Sequence, residues 1–292
     1  MKYLLIFLLA LSQTVTGKNI YISEAGNDAN TGLSPAQAWK TIAKLNASMA
    51  TVVAGDNILF DKGGTYVGTI VLSKSGTSLL PITISSYGTG AKPVLNALTT
   101  VTGWTLVSTG IYQATVPTNN RLNMVTLNGI PQAKGRFPNI DAANGGYLLY
   151  TAFTGNTSIT AAGFSVNNWV GAEVIIRKEG YVLEKDIVTS QSGGTLTYRR
   201  TPTINPRNEA APQPLIPNGI NNGTFVQNHP LTLDRFSEWY YDTVTRKLQM
   251  YFGANNPNSF TVKASILDTL INLNNRQYIV VDGLSLQGAN LA

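Results

Sequence analysis

The densest group of side chains able to move protons is Asp234, Glu238 and Asp242. In an extended chain Glu238, Tyr240 and Asp242 share one face, while Trp239 and Tyr241 take the other. Positions two apart on such a face lie about 7 Å from one another, and cleavage of a glycosidic bond needs two carboxyls directed at one site. Glu238 and Asp242 are therefore catalytic candidates, and Trp239 and Tyr240 are candidates for holding a sugar. A structural alternative stands beside this one, in which the two carboxylates pair with Arg235 or Arg246 and only anchor the segment. His229 is the one imidazole of the chain. Its ordinary pKa near neutrality makes it a candidate general base, although a histidine before Pro230 in a turn also serves as a hydrogen-bonded structural residue. Arg136, between Gly135 and Phe137-Pro138, suits a clamp on a carboxylate or on sugar hydroxyls, or else a bond to backbone carbonyls at a junction. Asp28 with Asn27 and Asn30 offers oxygen ligands for Ca²⁺. The spacing is not that of a helix-loop-helix calcium site, and an Asx-turn accounts for it as well.

Composition removes several other chemistries. The 292 residues include no cysteine, which excludes disulfides, thiol catalysis and thiolate zinc sites. A lone histidine excludes a multi-histidine metal centre, and there is neither a glycine-rich phosphate loop after a strand nor a serine nucleophile elbow. The net charge of +6 is dispersed over isolated pairs such as Arg177-Lys178, Arg199-Arg200 and Arg246-Lys247. A nucleic-acid partner calls for positive charge concentrated on one face, so none is expected. With 43% hydrophobic and 12% charged residues the chain is not disordered. After the first dozen positions no apolar run is long enough to span a bilayer, and nothing indicates an oligomer.

The elements that must position these side chains are mostly short strands. Residues 1–17 read as a secretory signal, with Lys2 ahead of an apolar run from Tyr3 to Leu11 and small residues at Val15-Thr16-Gly17. An extracellular or periplasmic location follows. Ile20–Ile22 is a first strand. Ser34 and Pro35 mark a helix start, and Trp39, Ile42, Ala43, Leu45 and Met49 give a helix of about 36–50 an apolar stripe. Strands are then expected at Asn57–Phe60, Gly68–Leu72, Ile82–Ser86 and Val94-Leu95, the spacing of a sandwich, a barrel or a β-solenoid. Beyond residue 98 come Glu173–Ile176, a hairpin turn at Gly193-Gly194 before Leu196–Tyr198, and Lys247–Tyr251. A proline-rich loop fills 201–223, of a length that is usually functional or disordered.

The order Tyr21-Ile-Ser-Glu-Ala-Gly-Asn-Asp-Ala-Asn-Thr-Gly, Ser34-Pro35, Trp39-Lys40-Thr41-Ile42, Gly55-Asp56, Gly63-Gly64-Thr65-Tyr66 and Pro81-Ile-Thr-Ile-Ser-Ser-Tyr-Gly resembles the N-terminal region of secreted, pectin-lyase-like right-handed parallel β-helix proteins. Gly135-Arg-Phe-Pro-Asn, Gln227-Asn-His and Glu238-Trp-Tyr-Tyr-Asp are similar to the β-rich insertion of polysaccharide-degrading members. The resemblance implies an all-β fold: a right-handed parallel β-helix start with an N-terminal capping helix and a β-rich insertion. The expected division is a leader at 1–17, the cap and first coil at 18–97, the insertion at 98–265 and further coils from 266 to 292. Leu270–Leu273 and Tyr278–Leu286 would resume the coils, and the pattern stops at Ala292 without a polar cap. The implied function is an exported, polysaccharide-active glycoside hydrolase, present as an inactive N-terminal fragment whose catalytic residues lie downstream of Ala292. A polysaccharide lyase on the same fold and a non-catalytic polysaccharide-binding adhesin remain alternatives. No cofactor beyond a possible Ca²⁺ is implied.

Overall fold

The computed structural model describes residues 17–118, 122–179, 182–200 and 223–291. The leader read at 1–17 and the loop read at 201–223 fall outside these residues, apart from the last position of each. The regular structure is mostly β-strand, and the chain divides into two compact units. One joins the chain up to Leu98 with the chain from Leu267 onward, and the other is Thr99–Ile266. Among the described residues no helix is long and apolar enough to cross a membrane.

The first unit is built from parallel ladders. Its strands are β1 (Asn19–Ile22), β2 (Asn57–Asp61), β3 (Thr65–Val67), β4 (Ile70–Val71), β5 (Ile82–Tyr87) and β6 (Val94–Asn96). Strands β1, β2 and β5 pair in parallel, and Ile279–Val281 adds to β5. In the same way β3 and β6 pair in parallel with Ser285–Gln287, and β4 pairs with Ile271–Asn272. Because side chains alternate along a strand and parallel register keeps like faces together, aliphatic residues stack in columns. Ile20, Ile58, Ile84 and Val281 form one column, and Tyr66, Leu95 and Leu286 form another. The earlier members are at most 3% exposed, whereas Val281 is 43% and Leu286 55% exposed. Among the described residues, Ile279–Val281 and Ser285–Gln287 are the outermost strands of their ladders, so each has a ladder neighbour on one side only.

The helix differs from the reading at 36–50. Pro35–Gln37 is a single 3₁₀ turn and the α-helix, α1, covers Ile42–Ser48. Asp28 sets this boundary. Its carboxylate accepts the backbone N–H groups of Lys40 and Thr41 at 2.8 and 2.9 Å and the Thr41 hydroxyl at 2.7 Å. The Thr41 hydroxyl in turn accepts the Lys44 N–H at 3.0 Å, so Thr41 rather than Ser34 is the cap. Trp39 stays extended and bridges Ile22. Ile42 and Leu45 of α1 join Trp39, Met49 and the strand columns in one core, while Ala43 is exposed.

The second unit is antiparallel where it carries the candidate residues. In its largest sheet Gly223–Gln227 lies next to one edge, paired on one side with Arg136–Phe137 and Leu148–Leu149 and on the other with Glu173–Glu179. Glu173–Glu179 continues into Val182–Ser192, which turns at Gly193-Gly194 into Thr195–Arg200. A second sheet runs Trp239–Asp242, Lys247–Tyr251, Ile111–Thr115 and Thr105–Ser108. Each sheet has its own core, one around Trp169, Phe164 and Val226 and the other around Trp239, Leu248 and Phe252.

Candidate functional site

The strand Arg136–Phe137 lies opposite Gln227 and Val226. By alternation Phe225 and Gln227 then share a face with Arg136. The guanidinium sits 3.8 Å over the Phe225 ring, donates from Nε to the Pro138 carbonyl at 3.0 Å and from Nη2 to the Gly146 carbonyl. Two glycines make this placement possible. A side chain at Gly135 would meet the Thr232 hydroxyl and carbonyl. Gly146 has φ +73° and comes so close to Asn139 that an added Cβ would lie 2.3 Å from its carbonyl oxygen.

Glu238 faces the same space from a tight turn. Its Oε2 accepts the backbone N–H groups of Asp234 and Arg235 at 3.2 and 3.1 Å, and Ser237 before it takes a left-handed φ of 71°. This turn ends the extended chain, and the strand begins only at Trp239. Glu238 therefore does not share a face with Asp242, as the alternation of an unbroken strand would require. Burial pushes the Glu238 carboxyl up to about 7, the nearby Asp234 charge adds to the rise, and the two N–H donors oppose it. Together with Ala133, Lys134, Asn139, Ile140, Phe225, Gln227 and Arg235, Arg136 and Glu238 line a cavity of about 240 Å³.

Tyr240 and Asp242 line a different cavity of about 530 Å³, with Lys134, Glu173, Lys185 and Arg199. Glu173, which the sequence reading passed over, is ion-paired with Lys134 at 3.3 Å and Lys185 at 3.7 Å and accepts the Gln227 amide at 2.8 Å. Asp242 closes its own hairpin by accepting the Val244 and Thr245 N–H groups at 2.8 and 3.3 Å and the Thr245 hydroxyl at 2.7 Å. Burial raises its pKa, but the Thr245 hydroxyl and the two backbone donors outweigh that and hold it below the ordinary value. Among the described residues neither expected arginine forms an ion pair with Glu238 or Asp242, although the Arg235 charge works to lower the Glu238 pKa. Arg235 pairs with Asp141 at 2.7 Å, and Arg246 sits in the turn with φ 57°.

The remaining candidates are built into the fold. Trp239 is 1% exposed and donates its ring N–H to the Gln132 carbonyl at 2.8 Å, so it has no face to offer a sugar. His229 accepts the Leu231 N–H on Nδ1 at 3.3 Å, bonds to the Val170 backbone and packs edge-on against Trp169. Burial pulls its pKa down, against the Val170 bond. It caps the 3₁₀ turn Pro230–Thr232. In the Asp28 loop, the Asn27 oxygen accepts the Ala29 N–H and the Asn30 amide bonds to the Ala38 carbonyl, which makes an Asx-turn rather than a cation cradle. Among the described residues no three His, Cys, Asp or Glu side chains gather to hold a metal ion.

A carboxyl held near neutrality beside a cation can donate or accept a proton. The smaller cavity has this pair, and among the described residues no second carboxyl lines it. The larger cavity has two carboxyls, one committed to two ammonium groups and the other to its own turn. No family model matches the chain, and no curated protein matches it either. Its fold is similar to that of a solved glycoside hydrolase structure, with a TM-score of 0.69 and 18% identity over 94% of this chain and 51% of that one. This chain thus spans about half the length of that enzyme. A solved complex of XylC with xylose aligns over 94% of this chain and 36% of that chain, at 13% identity and a TM-score of 0.47. A GH136 lacto-N-biosidase from Eubacterium ramulus is 30% identical over 29% of this chain and 14% of that one, with a TM-score of 0.26.

Proposed function

We propose that this chain is the N-terminal part of an exported, carbohydrate-active protein of the glycoside hydrolase type, acting on a polysaccharide. The observation that carries the proposal is the set of parallel ladders in the first unit, with residues 279–287 adding to β5 and β6 across the intervening unit. Such in-register columns are what successive coils of a right-handed parallel β-helix produce, and stacked coils present a long surface suited to a polymer. The fold likeness to a glycoside hydrolase supports the same reading, while activity has to be argued from a site.

Hydrolysis needs two carboxyls across the scissile bond, one of them protonated. Glu238 meets the second condition and, among the described residues, has no partner carboxyl in its cavity. On this proposal the chain holds polysaccharide and the catalytic pair lies on further coils. The lone carboxyl also favours a second reading, a binding protein of the same fold. Incubating the full chain with a panel of plant and algal polysaccharides separates them. Retention without new reducing ends or unsaturated products agrees with the proposal for this chain. New reducing ends released by this chain would show that its own residues hydrolyse, and unsaturated uronate products would reveal a lyase.

A further inference from the structure

The smaller cavity has an imbalance of charge and hydrogen bonding that the fold does not use. Three cations line it, and two are answered by carboxylates: Lys134 by Glu173 and Arg235 by Asp141. Arg136 has backbone carbonyls as partners and, among the described residues, no carboxylate in ion-pair range. Two of its N–H groups are engaged, out of the five that a guanidinium carries. Burial lowers its pKa, while Tyr147 and Glu238 work the other way. Beside it, Asn139 donates its amide to Asp234 at 3.0 Å, which fixes the orientation of the group. Its Oδ1 is thereby left buried with no hydrogen-bond partner among the described residues. A buried acceptor of this kind costs stability unless a donor reaches it, and a partly buried cation attracts an anion.

We propose that this cavity is a subsite for a carboxylate-bearing saccharide unit, with Arg136 pairing its carboxylate and Asn139 Oδ1 accepting a neighbouring hydroxyl. A bare anion would satisfy Arg136 alone, and a neutral sugar would satisfy Asn139 alone. Only a hydroxy-carboxylate answers both. Ala133 and Ile140 supply the apolar lining that a pyranose face needs, and the cavity is smaller than the roughly 300–1,000 Å³ that encloses drug-sized ligands, as befits one sugar ring. That the anion belongs to a saccharide rests on the carbohydrate reading above.

Glu238 tunes the subsite. Asp234 and Arg235 face it from its own turn, Arg136 faces it from the neighbouring strand, and Lys134 lines the same cavity. Neutral Glu238 tolerates a ligand carboxylate, and ionised Glu238 repels it.

The test is calorimetric titration of the full chain with glucuronate, glucose and acetate at pH 6 and pH 8, alongside its migration through polysaccharide gels. Glucuronate should bind at least about tenfold more tightly than either single-function probe, equivalent to one charge-assisted hydrogen bond. R136Q should abolish this preference. Should R136Q fail to fold by near-ultraviolet circular dichroism, N139A, which keeps the guanidinium, should still weaken glucuronate about tenfold. Wild-type affinity should fall from pH 6 to pH 8, and E238Q should remove the fall. Equal binding of glucose or acetate, or glucuronate binding untouched by N139A, overturns the subsite. Retardation in polysaccharide gels without glucuronate binding overturns the subsite and leaves the carbohydrate reading standing. Failure of both overturns both.

Discussion

Replacing Glu238 with glutamine should change how the stability of the second unit depends on pH. In the folded chain the Glu238 carboxyl is pushed by burial from 4.5 up to about 7. In the unfolded chain it returns to the ordinary glutamate value near 4.3. Between those values the folded state keeps a proton that the unfolded state has lost, so stability falls as pH rises through this window. The contribution is fully present below about pH 4 and gone above about pH 7. At about 1.4 kcal/mol per unit over roughly 2.7 units, the ceiling is about 4 kcal/mol. About 2 kcal/mol of this falls between pH 5 and pH 7, and for a unit of this size each kcal/mol moves the melting temperature by roughly 2–4 °C, so the wild type should lose on the order of 4–8 °C there relative to E238Q. Glutamine keeps an oxygen that can accept the Asp234 and Arg235 N–H groups, so the comparison isolates the proton. Scanning calorimetry of both proteins at half-unit pH steps reads it directly. Parallel curves for the two proteins, or a wild type that gains stability as pH rises through this window, would refute the placement of Glu238 in a desolvated site.

Other outcomes follow from particular contacts. Ile42, 2% exposed in the first core, should tolerate Ile42→Asp poorly, at a cost of several kcal/mol in thermal unfolding; an unchanged melting temperature would mean that α1 does not cover the core. Gly146→Ala combines a left-handed φ of +73° with a Cβ placed 2.3 Å from the Asn139 carbonyl oxygen, so it should destabilise by more than about 1 kcal/mol and weaken whatever the Arg136 cavity holds. The apparent mass of the full chain by light scattering should rise with concentration, because among the described residues the strands from 271 to 287 leave ladder edges and exposed aliphatics unpaired. The double variant Val281→Lys with Leu286→Lys should suppress that rise, and a wild type that stays monodisperse would show that these edges do not attract one another.

Much of the strand framework was legible in the sequence because alternation is a local property. Ile20, Ile22, Ile58 and Phe60 reveal their buried face by position alone, and Lys247–Tyr251 spans the strand read for it. The helix boundary was not legible, because it depends on Asp28 reaching 13 residues along the chain to cap Thr41. The candidate site was legible in part. Arg136 and Asn139 lie in one short run, Gly135-Arg-Phe-Pro-Asn, but the unpaired oxygen of Asn139 depends on Asp234, 95 residues away. Glu238 was found for the wrong geometry. An unbroken strand would have set it beside Asp242, but the left-handed turn at Ser237 redirects it into another cavity. Trp239 illustrates the general difficulty with aromatic residues, whose type suits a sugar platform and a core equally well, so that only burial decides between them.

The central claim, that this chain engages carbohydrate, is tested most directly by electrophoresis of the full chain through native gels cast with and without polysaccharide. Carbohydrate binding should retard the chain in at least one polysaccharide gel relative to the plain gel. Identical mobility in every gel, acidic and neutral polysaccharides alike, would contradict it.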